Sequence, residues 1–238
     1  MYTSTIPNPT TASLTATAAR PALARSGLIG GIGGLCFVAS VVVQNALRAN
    51  FPANDASAER VMSYYADHRS VTLALAALFP IGIVGLATFV GTFIARVARG
   101  AGRVAAITGL IGAAGIIGNY TMLLATDTAI AGYIHRGAAN LAVVDGLWVF
   151  HNAVFGVLMA SIGVALAGFT VAGTASGLLA RRWKPAGLIG AALLLAAAAT
   201  TPAIIDGSAT MFVGVLGFAV WVAFVASTSV KLLRARHD

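Results

Sequence analysis

The run 27-GLIGGIGGLCFVASVVVQNAL-47 decides the fold. It holds 21 residues without one charged side chain, and a helix needs about 20 apolar residues to cross a hydrocarbon core of roughly 30 Å. Five further stretches of this kind follow, over 71–95, 104–126, 146–171, 186–205 and 210–230. The expected fold is therefore all-α: a polytopic transmembrane helical bundle of six spans occupying residues 27–230.

Composition points the same way. Of the 238 residues, 58% are hydrophobic and 9% charged, with a mean hydropathy of +0.89. A soluble domain carries roughly 25% charged residues because its surface must face water. A chain so poor in charge has lipid as its solvent, and the bilayer is its expected partner. The net charge of +8 does not indicate nucleic acid, since the basic residues sit in short groups between apolar runs and not along one stripe. The single cysteine, Cys36, lies inside the first run, cannot form an intrachain disulfide, and is expected as a small core residue.

Basic residues set the orientation, because they concentrate on the cytoplasmic side of bacterial membranes. Arg20, Arg25, Arg96, Arg99, Arg103, Arg181, Arg182, Lys184, Lys231, Arg234 and Arg236 fall on one side of the six spans. Only Arg48, Arg60, Arg69 and Arg136 fall on the other. That second side also holds Asp55, Glu59, Asp67, Asp127, Asp145 and Asp206, leaving Asp238 on the first. Both termini are thus expected in the cytoplasm of a multi-pass protein of the bacterial inner membrane. Residues 1–26, rich in Thr, Ala, Ser and Pro, are expected as a disordered cytoplasmic tail, and residues 231–238 as a basic one. The first apolar run exceeds the 7–15 residues of a signal-peptide core, so an uncleaved first span is expected.

The string Gly-Leu-Ile-Gly recurs at 27–30, 109–112 and 187–190. It fits either a tandem repeat of three helical hairpins or the plain abundance of these residues. Gly109, Gly112, Gly115 and Gly118 form a small-residue ridge that lets another backbone approach, which nominates the third span as the centre of the bundle. Pro80 and Pro202 are expected to kink or end their helices. Between the first two spans, a helix over about 55–68 is expected, capped by Asn54 or Asp55 with Glu59 in its first turn. Ala58, Val61, Met62 and Tyr65 face away from Glu59, Arg60, Ser63 and Asp67, the pattern of an amphipathic helix on the outer membrane surface. Tyr64, Tyr65 and Trp148 suit an interfacial aromatic belt.

No phosphate-binding loop, nucleophile elbow, HExxH or CxxC pair occurs, which leans away from the enzyme classes that carry such local signatures. No cofactor or metal is expected. The candidate residues form an outward polar cluster: Asp127, His151, Asn152, Asp145, Asn119, Arg69, His68, His135 and Arg136. Asp127 closes the third span, and His151 sits roughly 10 Å below the outer boundary. Polar groups at such depth are expensive unless paired, so Asp127, His151 and Asn119 are expected to face the bundle interior, with Arg69 or Arg136 as counter-ion. Three readings stay open. The leading one is a structural polar cap in a non-enzymatic protein that serves as a subunit or accessory of a membrane complex, with other membrane proteins or further copies of the chain as partners. The second is a small solute or proton transporter in which Asp127 and His151 titrate. The third is a haem or redox site with His151 opposite His68 or His135.

The strings 54-NDASAER-60, 64-YYADHR-69 and 182-RWKPAG-187, placed after the first span, before the second and at the start of the fifth, resemble a group of uncharacterised six-span integral membrane proteins of high-GC bacteria. That resemblance implies the same topology and brings no activity with it.

Overall fold

Lipid offers no partners to backbone N–H and C=O groups, so an apolar run must close its own hydrogen bonds as a helix. The structure, a computed structural model, describes residues 9–98 and 102–234, and helix is the only regular element among them. In chain order the helices are α1 (Pro9–Leu47), α2 (Ala58–Asp67), α3 (Arg69–Val97), α4 (Arg103–His135), α5 (Leu141–Ala175), α6 (Trp183–Ala199), α7 (Thr201–Ile205) and α8 (Met211–Arg234). Residues 1–8 of the expected N-terminal tail, Arg99, and residues 235–238 of the expected C-terminal tail lie outside the described residues.

Five helices, α1, α3, α4, α5 and α8, are long and apolar enough to cross a membrane. The helix α1 extends back to Pro9, so a helical backbone occupies residues expected as a tail. Pro80 lies inside α3 without ending it. The apolar run over 186–205 is divided: α6 covers 17 residues, Thr200 interrupts it, and the single turn α7 starts beside Pro202. Proline cannot donate to the carbonyl four residues earlier and its ring crowds that carbonyl, which accounts for the break.

Neighbouring helices run antiparallel and follow chain order around the bundle. Gly30 of α1 lies against Thr92 of α3, and Gly33 against Thr88 and Gly85. Gly109 and Gly112 of α4 lie against Phe169 and Ala165 of α5. Gly187 of α6 meets Thr170 of α5, Gly190 meets Val220 of α8, and Gly217 of α8 comes back onto the Gly190 carbonyl. The α8 helix closes the circuit on α1, where Gly31 and Gly34 meet Ser229. All six glycines of the three Gly-Leu-Ile-Gly strings thus face another helix, Gly27 included, which lies against Arg96 and Leu232. Without a hydrophobic effect between helices in lipid, close backbone approach and dispersion hold such a bundle together.

The centre is α5, not α4. In the most apolar window of α5, 61% of residues are buried, against 28% for α4. The α4 glycine ridge explains the difference: it is a docking face for α5, and its last member, Gly118, has no neighbour in range. A stripe of small residues binds one partner, whereas a central helix needs apolar residues all round. Cys36 is exposed on α1 and not in the core.

Candidate functional site

The site begins with α2, whose sequence is amphipathic and whose N-cap is Ser57, not Asn54 or Asp55: the Ser57 hydroxyl accepts from the Arg60 N–H. Its apolar face turns inward. Val61, Tyr64 and Tyr65 are buried against Ile130 and Ala131 of α4 and Val144 and Trp148 of α5. The expectation of a helix lying on the membrane surface is therefore corrected. A surface helix would leave one face to lipid, whereas the apolar face of α2 packs on the α4–α5 pair. Tyr65 and Trp148 are likewise plug residues and not an aromatic belt. The Trp148 indole N–H donates to the carbonyls of Ala53 (3.3 Å) and Asn54 (3.1 Å), and Asn152 Nδ2 donates to the same Asn54 carbonyl at 2.9 Å. These bonds hold the segment between α1 and α2 down onto α5.

Beneath this plug lies Asp127, fully buried. Arg48 Nη2 reaches its Oδ2 at 2.8 Å, and the Tyr65 hydroxyl donates to its Oδ1 at 2.7 Å. His151 Nδ1 is 2.9 Å from Oδ1 but off the line of a straight hydrogen bond, so that contact is chiefly electrostatic and is an ion pair only when the imidazole is protonated. One carboxylate thus ties together the end of α1, the last turn of α2, α4 and α5. Taking a carboxylate out of water costs several kcal/mol, and attraction offsets it only when geometry and hydrogen bonding are both good. Here two side chains point donors at it and a third adds a titratable ring.

Phe51 packs the aromatic surround. Its ring lies 5.2 to 5.8 Å from those of Tyr64, Tyr65, Trp148 and His151, with the Arg48 guanidinium 5.4 Å from its centroid. Trp148 stacks on His151 at 4.9 Å. These rings cover the Asp127 side of the ion pair and lower the local dielectric there, which strengthens it.

Of the candidate residues, the structure brings Asp127 and His151 together and puts Asn152 one residue along in the same plug. The others go elsewhere. Arg69 and Arg136 are exposed, so neither is the counter-ion; Arg136 Nε instead donates to the Gly132 carbonyl. Asn119 faces inward but pairs with Ser161 Oγ at 3.0 Å, on the glycine ridge. His68 stacks on Tyr64 at 4.3 Å and contacts the Tyr64 carbonyl. His135 and Asp145 are exposed. No other histidine ring stands opposite His151 among the ring contacts of the described residues, and no group of three His, Cys, Asp or Glu gathers there. Arg48, Tyr65 and Phe51 were not among the candidates. Arg48 had a signal: it is the basic residue that follows directly on the first apolar run.

Burial pushes the Tyr65 hydroxyl well above its ordinary range, helped by the Asp127 charge and by donating to it. A group raised in the folded state keeps its stabilising effect below its unfolded value, about 10 for tyrosine, and loses it as pH climbs beyond that. Melting temperature should therefore fall above about pH 10, and Tyr65→Phe should show a shallower fall on top of a loss of about 1–3 kcal/mol for the bond it removes. Equal alkaline slopes in the two proteins would contradict this.

The chain matches no family model, no curated protein and no solved structure.

Proposed function

We propose that the chain is an integral protein of the bacterial cytoplasmic membrane with six crossings and both termini in the cytoplasm, and that its role is non-enzymatic, as a subunit or accessory of a membrane complex. The sixth crossing consists of α6 and α7 together, residues 183–205, about 34 Å of helix. Orientation is supported by the ends of the helices: Arg96, Arg103, Arg181, Arg182, Lys184, Lys231 and Arg234 gather at one end of the antiparallel bundle, Arg48, Arg60, Arg69 and Arg136 at the other. The resemblance to six-span proteins of high-GC bacteria fits this arrangement.

The observation that carries the non-enzymatic reading is how Asp127 is used. Its carboxylate is fully buried, and the side chains that approach it come from the chain's own α1, α2 and α5 regions. A group held in this way acts as a clasp across helix ends. Two measurements test the proposal. In a Cys36→Ser background, Ser57→Cys and Ser176→Cys should label from opposite faces of intact cells; labelling from one face overturns the topology. In proteoliposomes given a pH step, the protein should add no proton flux over empty vesicles. A flux that His151→Ala abolishes while melting stays unchanged would replace the clasp with a transport pathway.

A further inference from the structure

The bundle is not packed throughout. A cavity of about 160 Å³ lies between α1, α4, α5, α6 and α8, directly under Arg48. It follows from how α1 and α8 meet. Their close contacts lie along their inner halves, Gly27 against Leu232, Gly34 against Ser229 and Phe37 against Trp221. Further out, Asn45 of α1 and Val215 of α8 both line the cavity and both are exposed, so it opens sideways between the two helices. With the membrane placement proposed above, that opening faces lipid.

The lining has a direction. Gln44 and Asn45 stand on the last turn of α1 and Arg48 directly after it, while the far end is floored by Phe37, Ile162 and Trp221. From Phe37 to Arg48 the helix rises about 16 Å. An apolar cavity of about 150 Å³ excludes water and accepts an apolar guest. The polar end differs in kind. Arg48 uses Nη2 on Asp127, yet its Nε is buried without a hydrogen-bond partner among the described residues. A buried donor left unmet costs about 1–3 kcal/mol, and a guanidinium presents several N–H groups in a fixed fork that suits an oxyanion. A cavity with a lateral mouth, an apolar floor and an arginine at its rim matches one ligand chemistry.

We propose that this cavity takes up a segment of a single long acyl chain through the mouth between α1 and α8, with the anionic head of the same molecule at Arg48. The inference rests on the membrane placement above but not on the clasp, which would stand if the ligand failed. The shared chemistry is an acyl chain joined to a carboxylate or phosphate, and a free long-chain carboxylate or an anionic phospholipid of the bilayer can supply it.

Tryptophan fluorescence tests this in nanodiscs of zwitterionic lipid. Three probes bear the same mid-chain bromines: a long-chain carboxylate, an anionic phospholipid and a zwitterionic phospholipid. Either anionic probe should quench saturably, and the quenching should vanish in Trp221→Phe. Whichever anionic probe saturates at the lower mole fraction identifies the source. Val41→Phe, which fills the cavity from α1, should weaken that binding by about tenfold or more with the melting temperature held. If Val41→Phe does not fold, Ile116→Phe fills it from the α4 wall. Arg48→Lys keeps a positive charge near Asp127 but removes Nε, and should reduce the preference for anionic over zwitterionic probe. Quenching that rises in proportion to mole fraction for all three probes, or that survives both filling variants unchanged, overturns the proposal.

Discussion

Asp127→Ala should lower the unfolding free energy by about 3 kcal/mol, because removing one member of a buried ion pair leaves the other charge uncompensated. The stranded group is Arg48, whose side chain is 19% exposed, so some water reaches it and the loss falls toward the low end of the usual range. Asp127→Asn preserves the volume and should show most of the same effect, separating charge from packing. The sharper test is the pair. Arg48→Met in the Asp127→Asn background should restore part of the stability, since replacing a whole buried pair by apolar groups is often neutral or favourable. Chemical unfolding in detergent of the parent, Asp127→Asn, Arg48→Met and the double variant closes a double-mutant cycle. An Asp127→Ala protein within about 0.5 kcal/mol of the parent, the range of an ordinary surface change, would mean that the cluster holds nothing together.

The second large effect concerns the α4–α5 contact. A methyl group at Gly168 would run into the backbone nitrogen of Gly109 and lie 2.6 Å from the Ala105 carbonyl. Neither neighbour is a side chain that can swing away, so the two helices must separate. Gly168→Ala should cost about 2–3 kcal/mol as an overpacked site. Gly112→Ala should behave similarly, since its methyl would meet the Ala165 nitrogen and lie 2.8 Å from the Ser161 carbonyl. Gly118→Ala should do the opposite. Nothing lies within 4 Å of the added carbon, and alanine is favoured over glycine in a helix by up to about 1 kcal/mol. Melting temperatures of the three variants in one detergent decide the matter, and a Gly168→Ala protein as stable as Gly118→Ala would rule out the backbone contact.

Much of the candidate site was legible in part. Asp127 and His151 stood out because each is polar within an apolar run, and burial raises the penalty for leaving such groups unpaired. Their partner was not legible. Arg69 and Arg136 looked suitable because they flank the outer ends of spans, but proximity along the chain does not say which helix end faces which. Arg48 lies 79 residues from Asp127 and reaches it only because the end of α1 meets α4 about two turns before α4 itself ends, under α2. The α2 helix shows the same limit. Its alternation of faces was clear from Ala58 to Asp67, but lipid and a protein groove both satisfy an apolar face, so the pattern cannot distinguish them.

Local chemistry determined the helices. An uncharged apolar run of about 20 residues has one way to satisfy its backbone in lipid, and that constraint acts within each segment, so composition alone predicts helix throughout. The division at Thr200 is also local, since Pro202 removes a donor wherever the helix sits. Tertiary structure decided what the helices are for. It made α5 and not α4 the centre, turned α2 from a surface element into a plug, paired Asp127 with Arg48, and left the space under that pair open toward Asn45 and Val215. Each of these depends on which faces meet, a property of the packed helices together, which the pattern along any one segment does not specify.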